Sequence, residues 1–503
     1  MLYLIILILN FLFIIVYLFS LCFKSFKYIQ DINYSFREYF NFYKWFYIKN
    51  YYNLFFIIGM FIDNIYILLF NIVLVIIGLK KIFEYKNIIK FKITKRIIIL
   101  FIINIIISFI VFIFTNYYIV ILLFPLINSI GIVINSLIDY LLNIKYYKQA
   151  KNKLNKLNPY VISITGSSGK TSVKNIIYDL IKDDFLSFKT KKSFNTLKGI
   201  EISINNINEY YKSCTLVLEM GAKRKNDIKK ICDLVKSDIS IITNILPQHL
   251  SSFKNINNIL KEKANVIWSL RDNGCVILNN DDGYLNVLIS EIKEKRSDLK
   301  IFTYSINDEN CDLYAYDIDY YLNYTKFKIK YNGKVYEIES KMIGKHSVYN
   351  IMCSLLACII KGMDINKLID KVKYIDYVGN RLEYKKINNL IILNDSYNSN
   401  INGFLNAIDI LMLYNGRKYL ISPGIVETVG DELNEKIALY LYDLDINVCF
   451  IDNKNTKIYK SVLKDRCIIY KSFKEAYEKV KSISENEEIC VLIENDLTDN
   501  YYL

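Results

Sequence analysis

Histidine is almost missing from this sequence: 503 residues carry two, beside ten cysteines. The cysteines run from Cys22 to Cys490 with no C-x-x-C pair and no histidine at ligand spacing. That pattern excludes a zinc site built on them and argues against a disulfide framework, so they read as reduced core residues. Acids are outnumbered, 50 against 64 Lys and Arg, for a formal charge of +14. Yet no arginine-rich stripe interleaved with aromatics is present, so nucleic acid is not an expected partner. Many lysines instead flank apolar segments, as at a membrane surface. Charge is absent altogether from residues 1–23, MLYLIILILNFLFIIVYLFSLCF. This run reaches the roughly 20 residues that a helix needs to cross about 30 Å of hydrocarbon. It lacks a basic n-region and a small-residue cleavage site, so a retained helix is expected rather than a signal peptide.

Ile, Asn, Lys and Tyr are used heavily along the whole chain, so only long apolar runs count as evidence of burial. Three more such runs follow, at 54–79, 97–115 and 117–142, and together they predict a membrane domain over 1–145 with about four helices. Asp63 falls in the second, where a charge at the bilayer centre costs on the order of 2.5–3.5 kcal/mol, so it should face other helices or stay neutral. The segment KKIFEYKNIIKFKITKR, 80–96, is dense in Lys and Arg and nearly free of acids. The positive-inside rule puts it in the cytoplasm, and a hairpin of the last two helices returns the chain there. The basic stretch 24–53 would then lie outside, unless it forms an interfacial amphipathic helix. The expected localisation is the inner (cytoplasmic) membrane, multi-pass, with the remaining chain cytoplasmic.

After YYKQAKNKLNKLNPY, which reads as a polar linker ending in Pro159, VISIT alternates like a buried strand and SVKNIIYDLI has helical spacing. Strand, glycine-rich turn and helix form the setting of a phosphate loop. Gly166 and Gly169 let the backbone turn its N–H groups towards one point, and the helix N-terminus adds partial positive charge. Lys170 can reach terminal phosphates and Thr171 can ligate Mg²⁺. The usual pattern has a further glycine where this chain has Ile164, so the match is to the shorter T-G-S-S-G-K-T form. Gly166, Ser167, Ser168, Gly169, Lys170, Thr171 and Ser172 are thus the expected nucleotide-binding loop. Downstream, LVLEMGA ends an apolar strand in Glu219, at the edge where open α/β sheets bind ligands, so it can hold a metal. SDISIITNILPQHLSSF repeats the strand-then-loop pattern and brings His249.

From about residue 155 the chain resembles the Mur ligases, most of all the branch that adds D-alanyl-D-alanine. The matching stretches run in family order: ITGSSGKTSVKN, SFNTLKGI, LEMGAKRKNDIKKI, ITNILPQHLSSF, LNNDD, GKHSVYNIM, GNRLEY and NDSYNSN. The resemblance implies an α/β fold: N-terminal transmembrane helices, a phosphate-loop central domain with a mostly parallel sheet over 155–378, and a smaller C-terminal α/β domain over 379–503. Within the central domain YTKFKIKYNGKVYEIES alternates at period two around Asn-Gly, which reads as a hairpin.

It also implies an ATP-dependent amide ligase of peptidoglycan precursor synthesis. Such an enzyme transfers the γ-phosphate of ATP to a carboxylate of a UDP-N-acetylmuramoyl-tripeptide and lets the amine of D-alanyl-D-alanine attack the acyl phosphate. Carried over residue by residue, Lys170, Lys263 and His249 are the catalytic set, and Thr171, Glu219, His249 and Lys263 hold Mg²⁺ at two sites. Lys263 aligns with the lysine that becomes carbamylated. Asn350 is implied on the adenine side and Arg381 beside the nucleotide. Asp395, Tyr397 and Asn398 would close over the nucleotide from the C-terminal domain, while Asn195 and Thr196 face the acceptor peptide.

The substrate side departs from the pattern. Membrane helices stand where soluble members carry a UDP-recognising domain, Asn394 and Ile401 replace an acid and a proline, and Glu494 and Asp496 reverse the charge near the C-terminus, which suits an ammonium. The expected partners are the muramoyl peptide, D-alanyl-D-alanine, membrane lipid and other cell-wall enzymes. Two alternatives stay open: the same chemistry on a lipid-linked muramoyl peptide or with another amine, and a membrane-anchored scaffold with an inactive ligase domain.

Overall fold

In a computed structural model of the chain, the described residues are 25–30, 34, 36, 39, 92–114 and 117–494, apart from 192–193, 212, 248–249, 398–399 and 426–429. The expected spans 1–23 and 54–79, and Asp63 with them, lie outside the described residues. The chain divides into two compact units, 1–144 with 498–503, and 145–497.

In the first unit residues 25–30 are helical, and two longer helices follow, α1 (Lys95–Phe114) and the opening part of α2 (Tyr117–Leu157). By length and composition alone, both contain a stretch apolar enough to cross a membrane, with mean hydropathy 3.3 for Lys95–Phe114 and 1.4 for Leu126–Leu157. Ile98, Ile102, Ile105, Phe109 and Ile113 of α1 point outwards, as lipid-facing residues would. Inward, Asn104 Nδ2 donates to Asn128 Oδ1 at 2.5 Å, and Arg96 pairs with Asp139. Gly131 permits this approach, since a Cβ there would lie 2.4 Å from Asn104 Oδ1.

The expected polar linker before Pro159 is a correction: α2 continues unbroken to Leu157. Its lysines and asparagines cover one face only. Tyr147, Ala150, Leu154 and Leu157, spaced three and four apart, pack the other face onto the core of the second unit.

That unit holds two sheets. The larger has nine strands in the order β2-β3-β1-β4-β5-β6-β7-β8-β9. Its strands are β1 (Tyr160–Thr165), β2 (Ser187–Lys189), β3 (Thr215–Glu219), β4 (Ile239–Ile242), β5 (Cys275–Asn279), β6 (Lys300–Ser305), β7 (Leu313–Tyr320), β8 (Thr325–Tyr331) and β9 (Lys334–Ser340). All pairings up to β6–β7 are parallel, while β7–β8 and β8–β9 are antiparallel, the latter turning at Asn332-Gly333. Period-two burial explains the layers. Val161, Leu216, Leu218, Val276 and Leu278 face α2, α4 (Leu197–Asn205), α5 (Asp227–Leu234), α6 (Ile256–Trp268) and α7 (Gly283–Lys295). Ile162, Ile164, Val217, Ile241 and Ile277 face α3 (Lys170–Ile181), α8 (Lys345–Ile360) and α9 (Ile365–Val372).

The smaller sheet has six strands in the order β10-β11-β15-β12-β13-β14. They are β10 (Glu383–Ile387), β11 (Leu390–Asp395), β12 (Arg417–Ser422), β13 (Asn447–Ile451), β14 (Cys467–Tyr470) and β15 (Ile489–Glu494). Only β10–β11 is antiparallel. The nine described cysteines are free.

Candidate active site

In the larger sheet the strand order reverses at β1, which pairs with β3 on one side and β4 on the other. Ligands bind outside the carboxyl ends of parallel strands at such a switch point. The ends of β1, β3, β4 and β5 there deliver Gly166, Glu219, Thr243 and Asn279 to one edge.

The turn after β1 is fixed from both sides. Gly166 has φ 146° and Gly169 φ 80°. A Cβ on Gly166 would lie 1.8 Å from Thr243 Oγ1 and 3.1 Å from the Thr243 backbone N, so no side chain fits. From the end of β4, Asn244 Oδ1 accepts from the Ser168 N–H at 2.8 Å, and Thr243 Oγ1 donates to the Ser168 carbonyl at 2.5 Å. Leu246 N–H donates to Ser167 Oγ at 2.9 Å.

Lys170 opens α3, and its Nζ donates back to the carbonyls of Gly166 (2.7 Å) and Ser167 (2.9 Å). Lys263, carried in from α6, donates to the same Gly166 carbonyl at 2.8 Å. Burial pushes Lys170 down to about 8, a shift that Glu219 opposes and Arg381 reinforces. Lys263 is held well below the usual lysine range by burial and then by Lys170, with Glu262 opposing.

Glu219 is 1 % exposed, unlike a solvated strand end. Its Oε2 accepts from Thr171 Oγ1 (3.0 Å) and Lys174 Nζ (3.0 Å), and its Oε1 accepts from Asn195 Nδ2 (3.0 Å). Arg381 arrives from the hinge before β10, donating to Thr171 Oγ1 at 3.4 Å, with its guanidinium 4.3 Å from the centre of the Tyr397 ring. Asp395, at the end of β11, accepts from the Leu382 N–H at 3.1 Å. Burial pushes its carboxyl up to about 6, against the pull of Arg381, the Leu382 amide and Glu494.

Two adjoining cavities result. One, of about 320 Å³, is lined by Ser167, Lys170, Thr171, Asn195, Glu219 and Lys263, among others. The other includes Ser172, Asn350, His346, Tyr349 and Asp395, with Ser168, Gly169, Arg381 and Asn400 shared between the two. Thr196 lines neither; its hydroxyl accepts from the Gly199 N–H at 3.4 Å and caps α4. His249 and Asn398 lie outside the described residues.

Hard oxygen donors at Thr171 and Glu219 fit Mg²⁺, which takes one or two protein ligands and completes its shell with water and substrate phosphate. Lys263 as an amine or ammonium offers no oxygen, so it fits a metal only as its carbamate. Among the described residues no group of three or more His, Cys, Asp and Glu could hold a metal.

The Mur ligase middle domain matches residues 164–358. The chain is 30% identical over 304 residues to a UDP-N-acetylmuramoyl-tripeptide–D-alanyl-D-alanine ligase of Buchnera aphidicola subsp. Baizongia pistaciae, covering 60% of this chain and 64% of that one. It is 28% identical to the Bacillus subtilis ligase of the same name, covering 56% and 59%. The chain thus spans less than two thirds of the length of these relatives. Among solved structures, MurF from Thermotoga maritima in complex with ADP is similar with TM-score 0.60 and 23% identity, covering 70% of this chain and 80% of that one. MurF from Acinetobacter baumannii has TM-score 0.63 at 17% identity, covering 70% and 77%. Over 164–358 the chain is thus similar to the Mur ligase middle domain.

Several residues near the loop give little signal in the sequence. Lys174 is a charged residue among the core-facing positions of α3, four places after Lys170, and that was its only signal. Thr243 and Asn244 look like ordinary loop residues until β4 is seen beside β1. His346, in the first turn of α8, lines the second cavity, and burial followed by Lys345 lowers its pKa. Glu494 is 1 % exposed and in register with Asp395, so it is no free surface charge; Asp496 lies outside the described residues.

Proposed function

We propose that this chain is a Mur ligase: an ATP-dependent peptide ligase of peptidoglycan precursor synthesis that joins D-alanyl-D-alanine to a UDP-N-acetylmuramoyl-tripeptide, the reaction for which its relatives are named. The observation that carries the reading is the cavity in which the glycine loop and Lys170 share one space with Asn195, Glu219 and Lys263. A triphosphate on the loop and a carboxylate across the cavity can meet there.

The carboxylate oxygen attacks the γ-phosphorus, the bond to the β-phosphate oxygen breaks, and ADP leaves. The amine nitrogen then attacks the acyl carbon, phosphate departs with the C–O electron pair, and the nitrogen loses a proton. Two anions must be held together, so electrostatic positioning is the main task. Lys170, the loop amides and Arg381 bind phosphate oxygens, and Asn195 orients the acceptor. Mg²⁺ on Thr171 and Glu219 would neutralise phosphate charge, and a second ion would sit by His249 and Lys263. The depressed pKa of Lys263 favours the neutral amine, the form that attacks CO₂ to give a carbamate and a proton. Asn350, Asp395, Tyr397 and Asn398 would enclose the nucleotide and keep water from the acyl phosphate.

Residues 1–145 serve as a membrane domain, 155–378 as the central ATP-binding domain and 379–503 as the C-terminal domain. The helices anchor the enzyme to the inner face of the cytoplasmic membrane, within reach of lipid and of other cell-wall enzymes. The test uses the full chain in detergent with ATP, Mg²⁺, D-alanyl-D-alanine and either the UDP-linked or the lipid-linked tripeptide, followed by phosphate release and product mass. Turnover of the UDP-linked acceptor, abolished by Lys170→Ala, is expected. Turnover of only the lipid-linked acceptor replaces the substrate, and turnover of neither defeats the ligase reading in favour of a scaffold.

A further inference from the structure

Lys174 lies one turn beyond Lys170 on α3, among Val173, Ile176 and Ile177, and is 1 % exposed. Its Nζ sits 3.0 Å from Glu219 Oε2, and both side chains of this ion pair are buried. A carboxylate has about four acceptor sites. Thr171, Lys174 and Asn195 already donate to this one. The surroundings are cationic as well: Lys170 and Arg381 line the same cavity. The other carboxylate there, Glu262, accepts from the backbone N–H groups of Asn226 (2.7 Å) and Ile228 (2.8 Å). Without nucleotide, a free dication entering beside Glu219 would meet an acid whose charge Lys174 already balances, with Lys170 and Arg381 close by.

We propose that Lys174 is a positioning residue that makes the metal site conditional on nucleotide: it holds Glu219 oriented and charge-balanced, so a divalent cation enters only with the phosphates. Those phosphates supply the negative charge that Lys174 cancels. This rests on the nucleotide-ligase reading above. Removing the ammonium while keeping the apolar stem should therefore create a site for metal alone.

The experiment is Mn²⁺ binding to the full chain, read by electron paramagnetic resonance, with and without ADP. Wild type should bind Mn²⁺ at least about tenfold more tightly with ADP than without. Lys174→Met should gain about tenfold or more in ADP-independent Mn²⁺ affinity, Lys174→Arg should behave as wild type, and Lys174→Met with Glu219→Gln should lose the gain. Equal Mn²⁺ affinity in wild type with and without ADP, while ADP itself binds, overturns the proposal even if Lys174→Met does not fold. A folded Lys174→Met that binds Mn²⁺ as wild type does also overturns it. A chain that binds no ADP under any condition defeats the ligase reading instead, and the proposal falls with it.

Discussion

Both loop glycines have positive φ, but at Gly166 the obstacle is the short Thr243 side chain, held by its bond to the Ser168 carbonyl, with the Thr243 backbone behind it, whereas at Gly169 it is the far end of a side chain. A Cβ on Gly169 would meet Asn350 Oδ1 at 2.5 Å, an atom that can swing away, while one on Gly166 would meet Thr243 Oγ1 at 1.8 Å with the Thr243 Cβ and backbone N both at 3.1 Å. Gly166→Ala should therefore weaken ADP binding by about a hundredfold or more and lower the melting temperature, and Gly169→Ala should cost roughly tenfold. Equal losses in a fluorescent-ADP titration would refute this account of the loop. Asp395 carries a pH signature. Its folded pKa of about 6 stands above the usual carboxylate value of 3.8, so the folded state holds its proton more tightly. Stability is greatest below about 4, falls as pH rises through 6, and bears the full cost at neutral pH. Asp395→Asn should stabilise the chain by about 1–2 kcal/mol at pH 7.5 and by nothing at pH 4, as read by chemical denaturation at both values. The loop residues were legible at this scale because glycine, lysine and threonine at fixed spacing reflect a local backbone need. Lys174 was not, because its partner is 45 residues away on a neighbouring strand.

The helix α6 serves two sites from adjacent residues: Lys263 reaches the glycine loop, and Glu262 ties the start of α5 through two backbone N–H groups. Asn226, just before α5, has φ 67° and needs that support. Glu262→Gln keeps one acceptor and turns an N–H₂ towards the second amide. It should cost about 1–3 kcal/mol in urea unfolding with an unchanged slope; a change under 0.5 kcal/mol would show the clasp to be incidental. The elements themselves were readable wherever burial follows period two or 3.6, as in VISIT and in the hairpin at Asn332-Gly333. The reading failed at 146–157, where a one-sided helix with a polar outer face looks like a linker in a lysine- and asparagine-rich chain.

That same helix decides how the molecule can be divided. The core of the larger sheet includes Ala150, Leu154 and Leu157, and Lys153 Nζ donates to the carbonyls of Asn205 and Ile207, both at 2.6 Å. A fragment spanning 145–497 retains all of these, together with both sheets, and should remain soluble without detergent and bind ADP within about threefold of the full chain. A fragment starting at Pro159 should lose them. Each exposed leucine partner forfeits about 1.5–3 kcal/mol of apolar burial, a large share of the roughly 5–15 kcal/mol that holds a domain together. It should melt at least 10 °C lower or aggregate. If both fragments melt alike, the tail of α2 contributes nothing to the catalytic unit and the sequence reading of a linker was sound in function. If the longer fragment alone stands, the end of α2 is itself part of the fold that carries the glycine loop, so truncations that remove the apolar helices must cut on the N-terminal side of Tyr147.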